Sequence, residues 1–325
     1  MICHVVHYLS GDESSWGVLQ GGRVFALPEA YGSTREFLES GRGPAMALLK
    51  AIESGEHTGA GVELEHLTVL SPVTRDGKVL CLGANYRQHL LEVGMDPEAK
   101  NFNLFFNKSS ASICGPSDDV LRPAHVRLLD YEVELGLVIH GELRKEKTIT
   151  RETLHEHIAG IVVSNDISAR DVQLPQGQFF KGKSYRTFCP VGPVLCLLEA
   201  EDMHYLESLE LQLQVNGEIR QQDNTGNLVF KPAESLSELS QVSDLLAGDL
   251  VMTGTPHGCA LKIQTGRWAR ARAQLLPENK RWSTFIDAQE KSARYLKPGD
   301  VITASISSVD GAVDLGRQHN CVNQD

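Results

Sequence analysis

The segment Leu129–His140, LDYEVELGLVIH, constrains the fold more than any other part of the chain. It alternates apolar and polar residues and then turns continuously apolar, as a strand entering a core does. Period-two geometry puts Glu132 and Glu134 on one face and Tyr131, Val133 and Leu135 on the other. Two carboxylates held side by side repel unless positive charge lies between them. GIVVSND, residues 160–166, reads as a second buried strand, closed by Asp166. Three carboxylates from adjacent strands make a hard oxygen site, suited to Mg²⁺, Mn²⁺ or Ca²⁺ rather than zinc. A Glu-x-Glu pair also occurs on the solvated face of an edge strand, so its spacing alone does not decide.

The remaining texture is mainly β with short helices, an α+β class. A chain of 325 residues fits one large domain plus one small one. Residues 1–75 read as a small N-terminal α/β module and residues 76–325 as the main domain. The module opens with strand-like ICHVVHYL and WGVLQGGRVFAL, turning at Gly21-Gly22. A helical stretch over Thr34–Ser54 follows, with an interruption at Gly41–Pro44. VLCLGANY is a buried strand running into a loop. Thr150–His157 reads as a short helix. LELQLQVNGEIRQQ is a hairpin around Asn216-Gly217. Ser235 to Glu238 forms a capping box that opens a helix through Leu239, Val242 and Leu246, closed by Gly248. Residues 264–297, with Trp268 and Trp282, form a basic insertion, read as a surface excursion or subunit contact rather than a substrate lid.

The formal charge of −11 and the lack of basic clusters argue against nucleic acid as a partner. No run reaches the roughly 18 apolar residues of a membrane span, and the N-terminus has no signal-peptide pattern. A cytoplasmic protein is expected. The seven cysteines include no Cys-x-x-Cys spacing, which points to reduced thiols rather than a disulfide framework.

Two further segments carry chemistry. His89 and Glu92, three apart after the buried strand, share a face of a short helix. A carboxylate beside an imidazole fixes its tautomer and raises its basicity, as a general base requires. An ordinary surface pair has the same spacing. GQFFKGKS, residues 177–184, formally matches a phosphate loop, but polar ARDVQLPQ precedes it where a buried strand is needed. Lys183 there suits stabilisation of a carboxylate or enolate, or a Schiff base if desolvated.

LGANYRQHLLEVG, GPSDDVLRP, LDYEVELGLVI, VSNDISARDVQ, GKSYRTFCPVGP, VNGEIRQQDNTGNLVF, GDLVMTGTPHG and LKPGDVI follow one another in the order typical of the fumarylacetoacetate hydrolase family, which the chain resembles over about residues 77–320. The resemblance implies a mixed β-roll with a small N-terminal domain, and a homodimer. It implies that Glu132, Glu134 and Asp166 hold Mg²⁺ or a similar ion (Mn²⁺ or Ca²⁺) and that His89 and Glu92 activate water. It places Tyr86, Arg170, Gln173, Thr187 and Thr255 around the substrate, with Lys183 as a catalytic residue. The expected activity is metal-dependent hydrolysis of a carbon–carbon bond in an acylpyruvate or related 2,4-diketo acid, in aromatic-compound catabolism. Isomerisation or decarboxylation through the same enolate is the alternative.

Overall fold

The computed structural model describes residues 1–262 and 276–325. Among the described residues, an eleven-stranded sheet forms the spine. Its centre runs Val194–Leu197, Ile158–Asn165, Val133–Ile139, Leu250–Met252, Val79–Gly83, with Leu104–Lys108 at one edge. The strands of the first 75 residues extend the same sheet, because Cys3–Ser10 pairs antiparallel with Val194–Leu197. A five-stranded sheet, including the hairpin Glu210–Val215 and Glu218–Asn224, packs against one face of the spine.

Alternation along the central strands sorts their side chains. Val133, Leu135 and Leu137 enter a core shared with Leu211, Leu213, Ile302 and Ile306 of the second sheet. Val138 and Val162 point the other way, into a core with Trp16, Phe37 and Leu49. These side chains are fully or almost fully buried, and burying each contributes about 1.5–3 kcal/mol. The hairpin turns at Asn216-Gly217, both with positive φ, as a tight two-residue turn requires.

Three local expectations need correction. The stretch from Thr34 is not interrupted at Gly41–Pro44; helix continues to Glu53 through a π-helical turn at Phe37–Gly41. A Cβ at Gly41 would lie 2.7 Å from both Phe37 and Tyr31, so the glycine admits the packed rings rather than breaking the helix. Thr150–His157 holds only a 3₁₀ turn at Leu154–Glu156. The predicted capping box lies inside a helix that starts earlier, at Pro232, and stops at Ser240. Proline at the first helical position presets φ, and Glu234 accepts the Lys231 N–H at 2.8 Å, which caps the helix one turn before Ser235.

Residues 264–275 of the basic insertion, with Trp268, lie outside the described residues. The rest holds the helix Glu278–Gln289, fixed to the main body where Arg127 meets Asp287 at 2.7 Å and also pairs with Glu290.

Candidate active site

Register assembles the carboxylates. Val133 stands opposite Asn165 and Glu134 opposite Ser164. One step further, Asp166 donates its N–H to the Glu132 carbonyl at 2.8 Å. Alternation therefore turns Glu132, Glu134 and Asp166 to the same face, where one oxygen of each lies within 4.8 Å of the others. All three are buried.

Cations converge on them from separate elements. Lys183, ending the short helix Phe179–Lys183, donates to Glu132 at 2.9 Å and also to Asp166. Lys108, closing the edge strand, donates to Asp166 and, at 3.1 Å, to the Ile167 carbonyl. Arg170 donates to Asp130 at 2.8 Å, to Gln173 at 2.9 Å and to Glu132. Glu134 instead accepts the Gly254 N–H at 2.8 Å, and among the described residues it alone of the three has no ion pair.

The charges follow. Burial raises the Glu132 carboxyl, but Arg170 and Lys183 outweigh it and hold the group well below its usual range. Burial raises Glu134 too, and Asp166 and Glu132 push it higher still. Burial lowers Lys183, but Asp166 and Glu132 more than reverse that and keep the ammonium charged. Four buried carboxylates, counting Asp130, thus meet three buried cations. The excess negative charge sits at Glu134 and calls for a proton or another cation. Oxygen donors with one uncompensated charge fit a hard divalent ion.

A cavity of about 180 Å³ opens beside this cluster. Of the residues singled out in the sequence, His89, Glu132, Glu134, Arg170, Gln173, Lys183 and Thr255 line it. Thr255 is held by its own hydroxyl, which donates to the Val133 carbonyl at 3.0 Å and accepts from Gln221 at 2.9 Å. Asp166 and Glu92 do not line it; Asp166 is bound by the lining residue Lys183, and Glu92 lies beside His89. Tyr86 is fully buried and its hydroxyl has no hydrogen-bond partner. Thr187, at φ +63°, is not among the residues that line the cavity: its hydroxyl accepts the Leu121 N–H at 2.7 Å.

His89 and Glu92 share the helix Arg87–Glu92, with Nδ1 and Oε2 3.9 Å apart, too far for a hydrogen bond. Glu92 accepts the Gly258 N–H at 3.1 Å. Burial raises the Glu92 carboxyl, but His89 and that N–H outweigh it, leaving it below the usual range. The phosphate-loop match at Gly177–Ser184 follows the helix Arg170–Gln176 rather than a buried strand and itself holds the short helix Phe179–Lys183, with Lys183 turned inward onto carboxylates. Sequence reasoning passed over Lys108 and Asp130. The latter extends the alternation of Glu132 and Glu134 by one more step, a signal present in LDYEVEL.

The family model for the fumarylacetoacetate (FAA) hydrolase C-terminal region matches residues 78–323. The chain is 36% identical over 245 residues to a mitochondrial oxaloacetate tautomerase, fahd2, of Xenopus laevis, covering 73% of each chain. It is 36% identical over 197 residues to the oxaloacetate tautomerase YisK of Bacillus subtilis, covering 60% of this chain and 64% of that one. A fumarylacetoacetate hydrolase from the psychrophile Exiguobacterium antarcticum superposes with a TM-score of 0.71 at 27% identity, over 99% of this chain and 100% of that one. Among the described residues no helix is long and apolar enough to cross a membrane. With the alternating carboxylate strand, its neighbouring Asp166 and the match from residue 78 to 323 in agreement, the chain belongs to the fumarylacetoacetate hydrolase family.

Proposed function

We propose that this enzyme catalyses keto–enol tautomerisation of a small 2-keto acid of the oxaloacetate type, with a divalent metal held by Glu132, Glu134 and Asp166. The carrying observation is the uncompensated charge at Glu134, which supports a cation site beside a small cavity lined by His89 and Lys183. The two oxaloacetate tautomerases at 36% identity support the choice among reactions. At about 180 Å³ the cavity is smaller than the roughly 300–1,000 Å³ usual for drug-sized ligands, which favours a short acid.

When bound, the ion supplies Lewis acidity toward the oxygens of the keto acid. The chain supplies the rest. The Lys183 ammonium faces negative charge developing on the substrate oxygen, in a buried site where such an interaction is strong. His89 takes the proton from C3, and Glu92 stabilises the imidazolium that results. Arg170, fixed by Asp130 and Gln173, holds Glu132 in place.

Carbon–carbon hydrolysis is the second reading. The placement of Glu92 within 3.9 Å of a cavity-lining histidine favours it, since such a pair also suits water activation. Metal-loaded protein should be given oxaloacetate and a panel of acylpyruvates, following enol absorbance and products by NMR. Faster enolisation of oxaloacetate without cleavage products supports tautomerisation. Cleavage of acylpyruvates with no effect on oxaloacetate overturns it in favour of hydrolysis.

A further inference from the structure

Beside Glu92 lies a second imidazole–carboxylate pair that the proposed mechanism leaves unused. The Gly258 N–H that holds Glu92 is one residue from His257. Gly258 has φ +101°, and a Cβ there would lie 2.1 Å from the Arg220 carbonyl oxygen, so only glycine lets the loop approach this closely. His257 Nδ1 faces Asp223 Oδ2 at 3.5 Å. That nitrogen is buried and makes no hydrogen bond, whereas the side chain as a whole is 42% exposed. The ring therefore has one nitrogen turned inward and its outer edge in water.

Asp223 is fixed for this contact. Its Oδ1 accepts the Asn224 N–H at 2.8 Å and the Asn227 amide at 2.6 Å, which leaves Oδ2 toward the imidazole. The charged and titratable groups around His257 include Tyr131, whose hydroxyl donates to the Gly258 carbonyl at 3.3 Å. Glu92 and His89 come from the helix, and Arg220 and Asp223 from the hairpin strand. Arg294 donates to the Gly258 carbonyl at 2.6 Å from the far side.

We propose that His257, held by Asp223, is the positioning residue through which the His89–Glu92 pair exchanges its proton with solvent. This rests on the proton transfer in the proposed function. His89 removes the C3 proton, and the C–H electron pair becomes the enolate. The proton passes from the His89–Glu92 pair through water to Nε2 at the exposed edge of His257, while Nδ1 keeps its own proton toward Asp223. Nε2 then releases that proton to buffer, which restores the starting tautomer with Nδ1–H toward Asp223. The enolate oxygen takes one proton from solvent, so one proton leaves and one arrives. Imidazole suits this role because one ring nitrogen can accept and then release a proton while the other holds its hydrogen.

The test compares wild type, His257→Gln and Asp223→Asn in D₂O, following C3 exchange and tautomerisation by NMR in dilute and in imidazole buffer. In dilute buffer His257→Gln should lose up to about 10²-fold, within the range of a general acid–base step. Added imidazole should restore the rate, and Asp223→Asn should shift the pH–rate profile. Wild-type rates and profile for His257→Gln in dilute buffer overturn the relay, as does a loss that imidazole leaves unrepaired. If the wild type cleaves acylpyruvates but does not tautomerise oxaloacetate, the functional reading fails separately. The same variants are then compared on cleavage, where the pair must shed a proton from water. A buffer-repaired defect there upholds the relay, and its absence overturns it. A wild type inactive in both reactions overturns both.

Discussion

The buried Lys183 ammonium bridges two carboxylates, donating to Glu132 at 2.9 Å and at the same time to Asp166. Removing it leaves both acids without that partner in a dry site. Lys183→Met should destabilise the metal-free protein by about 3–5 kcal/mol, and a divalent ion should recover part of this. Turnover should fall sharply. Because its neighbours keep the amine protonated, borohydride added with substrate should trap nothing on it. An adduct at Lys183, seen by mass spectrometry, would replace the electrostatic role with a Schiff base.

On the proposed function, Glu134 binds either a proton or a metal ion. Its folded-state pKa lies well above the ordinary 4.5, so the folded metal-free protein holds more protons than the unfolded chain above that pH. Its stability contribution is therefore lost as pH rises from about 4.5 through the raised value. If the site holds a divalent ion as proposed, Mn²⁺ should remove that loss by taking the place of the proton. Melting temperatures of chelated and Mn²⁺-loaded samples should diverge as pH rises, and Glu134→Gln should narrow the gap. EDTA should abolish activity reversibly; full activity in a chelated sample contradicts the metal site.

His89→Ala and Glu92→Gln should each reduce turnover on the order of 10²–10⁴-fold, as loss of a general base does. The double variant should be little worse than either single one, because the two act as a unit. Single-turnover rates on all four proteins check this. Additive losses would separate their roles.

Lys100 donates to the Ala84 carbonyl at 2.7 Å and the Gly83 carbonyl at 3.2 Å, at the cavity rim. Burial lowers its pKa from 10.5, Glu238 opposes this, and the group ends at about 8. Between about 8 and 10.5 the unfolded chain holds the proton that the folded chain has lost, so this residue adds stability as pH rises through that window. Relative to Lys100→Met, the wild type should gain melting temperature across that range. A difference that stays constant with pH rules out the shift.

Much of the fold was legible because its signals are local. The Asn216-Gly217 turn, the buried run at Val79–Gly83 and the alternation at Glu132 and Glu134 each depend on a few neighbouring residues. The helix at Pro232 was misplaced by one turn because a capping box read from Ser235 competes with a proline that starts the helix sooner. At the π-helical turn Phe37 stacks on Trp16, 21 residues back in the chain, a contact that local periodicity does not record. Thr187 carries a plausible hydroxyl in a plausible segment, yet the Leu121 N–H, 66 residues away in the chain, claims it.

By itself the sequence determined which face of which strand bears the acids, since a strand's side chains alternate with a period of two whatever surrounds it. Tertiary structure decided how those acids are neutralised. Lys108 reaches Asp166 across 58 residues, Lys183 reaches Glu132 across 51, and Arg170 reaches Asp130 across 40. Charge balance in a buried site is a sum over everything nearby in space, and chain order does not record that sum. It left Glu134 as the one acid of the three without a paired cation among the described residues, and that is the feature on which the proposed metal site rests.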